Sequence, residues 1–257
     1  MARLLALALC GMLAGAASAL AADLSADEVR AIVAQASAGT PPDLSHKSLQ
    51  RLDLSGLDFK RANLAGADLY GAKLVDANLS GANLSGATLN LAWIMRANFT
   101  DANLSGASLQ GMVVSSGLEV SPAEAPIFRG ANFQGARIIA RFSSFDLTGA
   151  NFSHAMLGAD MRNQSMGLMR TEFSGAKLAH ADFAGADLGR ALLSFADLSG
   201  ANLAGASLRG ADLSGANLTG ADLTKADCTD ADFGHAVLKD AKGLDTVIGQ
   251  KLSASGG

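Results

Sequence analysis

The chain is 257 residues long, 49% apolar, 17% charged and 5% aromatic, with 24 acidic against 20 basic side chains and a formal charge of −4. It is too apolar for a disordered chain, and its few basic residues form no stripe of the kind that holds nucleic acid.

Met1 to about Ala19 carries Arg3, an apolar stretch from Leu4 to Leu13 and the small residues Ala17, Ser18 and Ala19. This is the layout of a secretory leader, too short to span a membrane, with cleavage expected after Ala19 or Ala21. The leader is assigned to residues 1–21. Leu7-Ala8-Leu9-Cys10 departs from a lipoprotein signal because Leu9 is too large. Loss of the leader removes Cys10 and leaves Cys228, so the mature chain has no intramolecular disulfide, and Cys228 is expected to be a small buried apolar residue. Loss of Arg3 makes the charge one unit more negative.

Residues 22–41 are predicted to form a capping helix. Ser25 is the N-cap, Glu28 closes a capping box and Leu24 can staple onto Val29, with the helix running to about Ser37 ahead of Pro41 and Pro42. Val29, Ile32 and Val33 share a face that is expected to cover the open first edge of the repeat beginning near Leu44.

From Leu44 to Val114 every fifth residue is large and apolar, including Leu54, Phe59, Leu84, Ile94 and Phe99, and the pattern returns from Phe173 to Leu238. Two residues before each lies a small one, such as Ala62, Ala67, Ala176 and Ala181. A helix would rotate such a motif by roughly 140° per repeat and scatter the apolar residues around its surface. A continuous strand keeps the small and large residues on one face but puts the next pair on the other. The chain must therefore turn every five residues, and the glycines two places after the central residue, at 56, 66, 71, 200, 210 and others, suit corners with positive φ. Four such sides close a square coil. Coils then stack at roughly the 4.8 Å interstrand spacing, and no single coil is stable alone.

The units Ala62-Asn63-Leu64-Ala65-Gly66, Ala77-Asn78-Leu79-Ser80-Gly81 and Ala211-Asp212-Leu213-Ser214-Gly215 resemble the pentapeptide-repeat family. The resemblance covers residues 42–240 and implies an all-β solenoid, a right-handed quadrilateral parallel β-helix. Members of that family include DNA-mimicking protectors of gyrase.

The repeat breaks over the loop 115–127, with Pro122 and Pro126, and resumes at Phe128, Phe133 and Ile138 before slipping by one at Phe142. Phe145, at a place meant for alanine, is expected to force a bulge. Residues 158–172 have no clean register, and Met156, Met161, Met166 and Met169 gather around them. They are read as filling an ill-fitting core, with Cu(I) ligation by exported thioethers as the rival. In the last run the aspartates outnumber the cations, mostly at the outward place before the central residue. Residues 241–257 form a C-terminal cap and tail in which Leu244, Val247 and Ile248 are expected to pack and Ser253 to Gly257 to be disordered.

No G-x-S-x-G, phosphate-binding glycine loop or H-E-x-x-H occurs. His46, His154, His180 and His235 each fall at an outward corner in different parts of the rod, which is not a ligand spacing. No catalytic residue, metal ligand or cofactor is assigned. The candidate interaction surface comes from stacking the first run in twenties: Val75, Trp93, Met95 and Val113 become outward neighbours with Leu91 beyond the adjacent corner, and outward places elsewhere are expected to be polar. The 115–127 loop leaves just above them, so Leu118 and Val120 either cover this patch or join it.

These features point to an exported, bacterial, non-enzymatic scaffold for protein–protein interaction, periplasmic or secreted. Its expected partner is an unidentified protein, with a homodimer left open, no direct nucleic-acid contact and no membrane-spanning segment in the mature chain. A DNA mimic acting on gyrase or a related enzyme, and a periplasmic methionine-cluster metal binder, are the alternatives.

Overall fold

The computed structural model describes residues 22–36, 40–116, 121, 123–160 and 169–253. The expected leader lies outside them, as do Ser37, Leu118, Val120, Met161, Met166 and the last four residues. Among the described residues no helix is long and apolar enough to cross a membrane.

The pentads stack as square coils. Parallel bridges join residues twenty apart along four faces: Asp43 to Asn63 on the first, Ser48 to Asp68 on the second, Asp53 to Lys73 on the third and Asp58 to Asn78 on the fourth. Each side is too short to count as a regular strand, except β1 (Ser108–Gln110) and β2 (Arg137–Ile139), which pair in parallel on the second face. The central residues and the alanines two places before them line a continuous dry axis, with Leu44, Leu84, Phe99 and Leu203 fully buried. Each such side chain contributes roughly 1.5–3 kcal/mol on burial.

Corners obey the predicted rule. Gly56, Gly66, Gly71, Gly200 and Gly210 have φ between 62 and 69°, and where glycine is replaced the newcomer adopts the same left-handed conformation, as at His46, Arg51, Phe195 and His235. The outward Asp or Asn before each central residue has a structural task. Its Oδ1 accepts the backbone N–H two residues on, as in Ser45 to Asp43 at 3.0 Å and Ala204 to Asn202 at 3.1 Å, which closes the turn locally. On the first face the same groups also bond along the rod, from Asn63 Nδ2 to Asp43 at 3.0 Å and from Asn83 Nδ2 to Asn63 at 3.3 Å.

α1 (Ala26–Gln35) starts at the Ser25 N-cap with the predicted capping box and ends at Ala36, slightly short of the expected end. Val29 is completely buried, and Leu24, Ile32 and Val33 pack against the core of the first coil. Asp23 and Ser48 exchange hydrogen bonds of 2.8 Å, so the residues leading into the helix extend the second face.

The middle changes length without losing the stack. The bridge from Asn98 to Ile127 spans the 115–126 excursion, the coil from Ile127 to Asp146 is one residue shorter than twenty, and Arg141 to Glu172 spans a second excursion. No bulge forms at Phe145. It is buried, its carbonyl accepts the Lys177 N–H at 2.9 Å, and its ring meets that of Phe142 edge-on at 6.0 Å. The shortened coil takes up the slip instead. Stacked phenylalanines fill the axis here, with Phe99 on Phe128 at 4.8 Å, Phe133 on Phe152 at 4.7 Å and Phe152 on Phe183 at 4.9 Å. At the far end Leu244, Val247 and Leu252 pack on the core, and Gln250 Nε2 donates to the Cys228 and Ala231 carbonyls. Ile248 corrects the expectation, since it bridges to Asp227 and faces solvent.

Candidate functional site

The predicted surface falls on the third face. Trp93 sits in the outward row between Lys73 and Val113, bridged to both. Its side chain is 40% exposed, and Leu91, in the left-handed corner before it, is 46% exposed. Leu91 Cδ2 lies 3.0 Å from where a Cβ on Gly111 would stand, so the leucine leans over the next corner and would have to shift slightly for any larger residue there. Val75 and Val113 are half-buried. Met95 is not part of the exposed set, being only 7% exposed.

The returning foot of the 115–127 loop lies beside Met95. The Arg96 N–H donates to the Glu124 carbonyl at 2.8 Å, and the Glu124 carboxylate accepts from the Ser115 and Ser116 hydroxyls at 2.8 and 2.6 Å. These hydroxyl bonds hold the Glu124 carboxyl below its usual range. Arg96 also reaches back one coil to Asp76, Nε to Oδ1 at 2.6 Å and an outer nitrogen to Oδ2 at 2.7 Å. That bidentate hydrogen bond lowers the Asp76 carboxyl and raises the guanidinium. The loop is thus pinned at its base while Trp93 and Leu91 remain open. The third-face ladder stops here among the described residues, because Val113 has no bridge to the coil above. Leu118 and Val120, assigned to the same surface, lie outside the described residues.

Outward apolar residues are not confined to this patch, contrary to expectation. Ile127, Met156, Val237 and Ile248 are each about half exposed, and Phe195 is 74% exposed in a left-handed corner with φ of 57°. The signal for Phe195 was available, since it stands where the pentad register asks for a corner residue. Met156 and Met169 face outward and do not fill the core. The four histidines take exposed left-handed corners as predicted, and no group of three or more His, Cys, Asp or Glu placed to hold a metal ion occurs among the described residues.

The edge between the second and third faces carries a groove of about 300 Å³ lined by Arg170, Arg190, Arg209, Gly210 and Asp230. Sequence reasoning passed over it because Arg190 by itself looks like a solvated corner residue and Arg170 lies at the end of a stretch with no clean register.

A family model described as pentapeptide repeats matches in eight copies, over residues 43–81, 53–90, 72–111, 171–210 and 201–240. Among solved structures, the chain is similar to HetL, a pentapeptide repeat protein involved in heterocyst differentiation regulation from the cyanobacterium Nostoc sp. strain PCC 7120. That match has 31% identity, covers 83% of this chain and 92% of that one, and has a TM-score of 0.33. QnrB1, a plasmid-mediated fluoroquinolone resistance protein, matches at 22% identity over 76% of this chain and 88% of its own, with a TM-score of 0.39. Rfr23 from the cyanobacterium Cyanothece 51142, also a pentapeptide repeat protein, matches at 22% over 65% and 91%, with a TM-score of 0.21. No curated protein matches the chain.

Proposed function

The chain belongs to the pentapeptide-repeat family, whose fold is the right-handed quadrilateral β-helix, and we propose that it serves as a non-enzymatic, exported scaffold that binds a protein partner in the cell envelope. The observation that carries this reading is the half-exposed Trp93 beside Leu91, at the coil where the third-face ladder stops and a pinned loop leaves the rod. Exposed aromatic and aliphatic side chains next to one another suit a partner's apolar pocket, with Trp93 as the anchor. Export rests on the leader-like residues 1–21. The DNA-mimic alternative draws on the aspartates of the C-terminal coils. Much of that charge is committed locally, since Asp182, Asp197, Asp212 and Asp227 each accept a backbone N–H two residues on.

Two measurements test the proposal. Fractionation and N-terminal sequencing of the mature protein should find it outside the cytoplasm and starting after Ala19 or Ala21, whereas a cytoplasmic protein retaining Met1 supports the DNA-mimic reading. Leu91→Ser with Trp93→Ala should abolish partner capture from envelope extract while changing stability by no more than about 1 kcal/mol. Capture that survives the double change removes this surface from the proposal.

A further inference from the structure

The Trp93 surface is bracketed by positive charge along the rod. On the edge beside it, Arg51, Gly71, Leu91 and Gly111 are the left-handed corners of successive coils, each N–H bonded to the coil above. Arg51 leans up this column, its Cγ 3.5 Å from where a Cβ on Gly71 would stand, so its side chain is directed to the level just below Leu91. On the other side of the patch, Arg137 stands directly above Ser108 on the second face. Arg141 holds the third-face place in the same coil, the one above Val113, a level fixed by the pairing of Asp146 with Ile127 on the fourth face. The level of Gly71 and that of Arg137 and Arg141 are separated by the three bridges Asp68 to Thr88, Thr88 to Ser108 and Ser108 to Arg137. At the interstrand spacing this is roughly 14 Å, and Leu91, Trp93 and Val113 lie within it.

The nearby carboxylates are engaged, and these three arginines are not. Asp53 lies 3.7 Å from Lys73, Asp76 is forked onto Arg96, and Glu124 accepts from Ser115 and Ser116. Among the described residues, the exposed Arg51, Arg137 and Arg141 form no ion pair, and Glu172, one coil beyond Arg141, does not bond to it. The apolar patch therefore sits between two positive poles, which draw in a negatively charged partner and turn away a basic one.

We propose that this surface docks an extended acidic segment of a partner protein, in which one apolar side chain packs against Leu91 and Trp93 and carboxylates stand two places before and two places after it. Residues two apart in an extended chain face the same way, and four residues span roughly 13 Å, which matches the separation of the poles. One carboxylate meets Arg51 and the other meets Arg137 and Arg141. The inference rests on the reading of Trp93 as a docking anchor and adds the chemistry of the partner to it.

Trp93 is the only tryptophan of the chain, so its emission reports occupancy. The test titrates the full chain with a synthetic peptide carrying a central phenylalanine, a glutamate two places to either side, and glycine and serine elsewhere. Control peptides carry glutamine or lysine in place of glutamate. A saturable change in emission is expected with the glutamate peptide, weakened as salt rises from about 0.05 to about 0.5 M, and none with the lysine peptide. Arg51→Gln, Arg137→Gln and Arg141→Gln should each weaken binding roughly two- to fivefold with an unchanged melting temperature. Equal responses to the glutamate and glutamine peptides, or no saturable response to the glutamate peptide, overturn the proposal. Emission that shifts with protein concentration alone gives the surface to a second copy of the chain and overturns it as well. Capture from envelope extract separates this inference from the reading beneath it. Capture lost in Leu91→Ser with Trp93→Ala but undiminished in the triple arginine variant refutes the acidic segment and leaves the docking surface standing, whereas capture that survives both removes the surface itself.

Discussion

The ring of Phe195 lies 2.6 Å from the point where a Cβ on Gly215 would stand, one coil further along the same corner. The relation recurs for His46 over Gly66 at 2.5 Å and His180 over Gly200 at 2.6 Å. A left-handed corner aims its side chain along the rod at the next corner, so a ring at one level demands glycine at the next, whereas the flexible Arg51 and Arg61 stay 3.5 and 3.6 Å from the corresponding points at Gly71 and Gly81. Gly205 has the same positive φ with nothing within 4 Å. Gly205→Ala should therefore cost only the backbone penalty, about 1–2 kcal/mol. Gly215→Ala should cost on the order of 1 kcal/mol more through the clash, and adding Phe195→Ala should recover that excess. Equal melting temperatures for the two glycine variants would contradict the corner rule.

Leu84 lies on the dry axis with no exposed surface. Leu84→Ala should destabilise the rod by about 2–5 kcal/mol, and Leu84→Asp should abolish soluble expression, because no partner is available there for a carboxylate. A soluble Asp variant with unchanged circular dichroism and melting would disprove the buried axis.

Removing residues 23–40 takes away the Asp23 bonds to Ser48 and the buried Val29. The coils should remain folded with their first edge exposed, so light scattering should report concentration-dependent association. A truncated chain that stays monomeric at all concentrations means that α1 does not protect this edge.

Cys228 is fully buried, and burial pushes its thiol from 9.0 up to about 11. It should resist alkylation at pH 8 in the native state and react on unfolding. A folded-state value raised above the unfolded one supports stability below about pH 9, and that support is lost as pH rises from 9 to 11. The loss is on the order of 2–3 kcal/mol. Comparing melting across this window with Cys228→Ala isolates the thiol from the other groups that titrate there. Rapid labelling of the folded protein, or identical pH slopes for the two chains, would refute its burial.

Lower pH acts through the turn-closing carboxylates. Asp227 is held below its usual range by the Thr229 hydroxyl at 2.6 Å, then by Arg209 and the Thr229 N–H, and the Thr224 hydroxyl heads the same effect at Asp222. A lowered carboxyl stabilises the fold above the unfolded value near 4, and this contribution disappears as pH falls through the lower folded values. Melting temperature should be flat near neutrality and drop below pH 4, and the drop should be smaller in Asp222→Asn with Asp227→Asn. An identical acid profile in that variant would show that these groups are not responsible.

The pentad by itself determined the square coil, the buried axis and the positive-φ corners, because each arises from contacts within five residues or from a strict twenty-residue stack, and the Ser25–Glu28 capping box marked the start of α1. The pentad also placed Trp93 between Lys73 and Val113, since no insertion separates them. Only the tertiary structure decided what lies above what beyond the loops. The excursions after Val114 and Leu157 and the shortened coil at Phe142 change the spacing by amounts that are not whole coils, so the pairing of Asn98 with Ile127 and of Arg141 with Glu172 depends on how the axis repacks. The same repacking accommodated Phe145 without a bulge, and Met95, expected to face outward, is buried beside the returning foot of the loop.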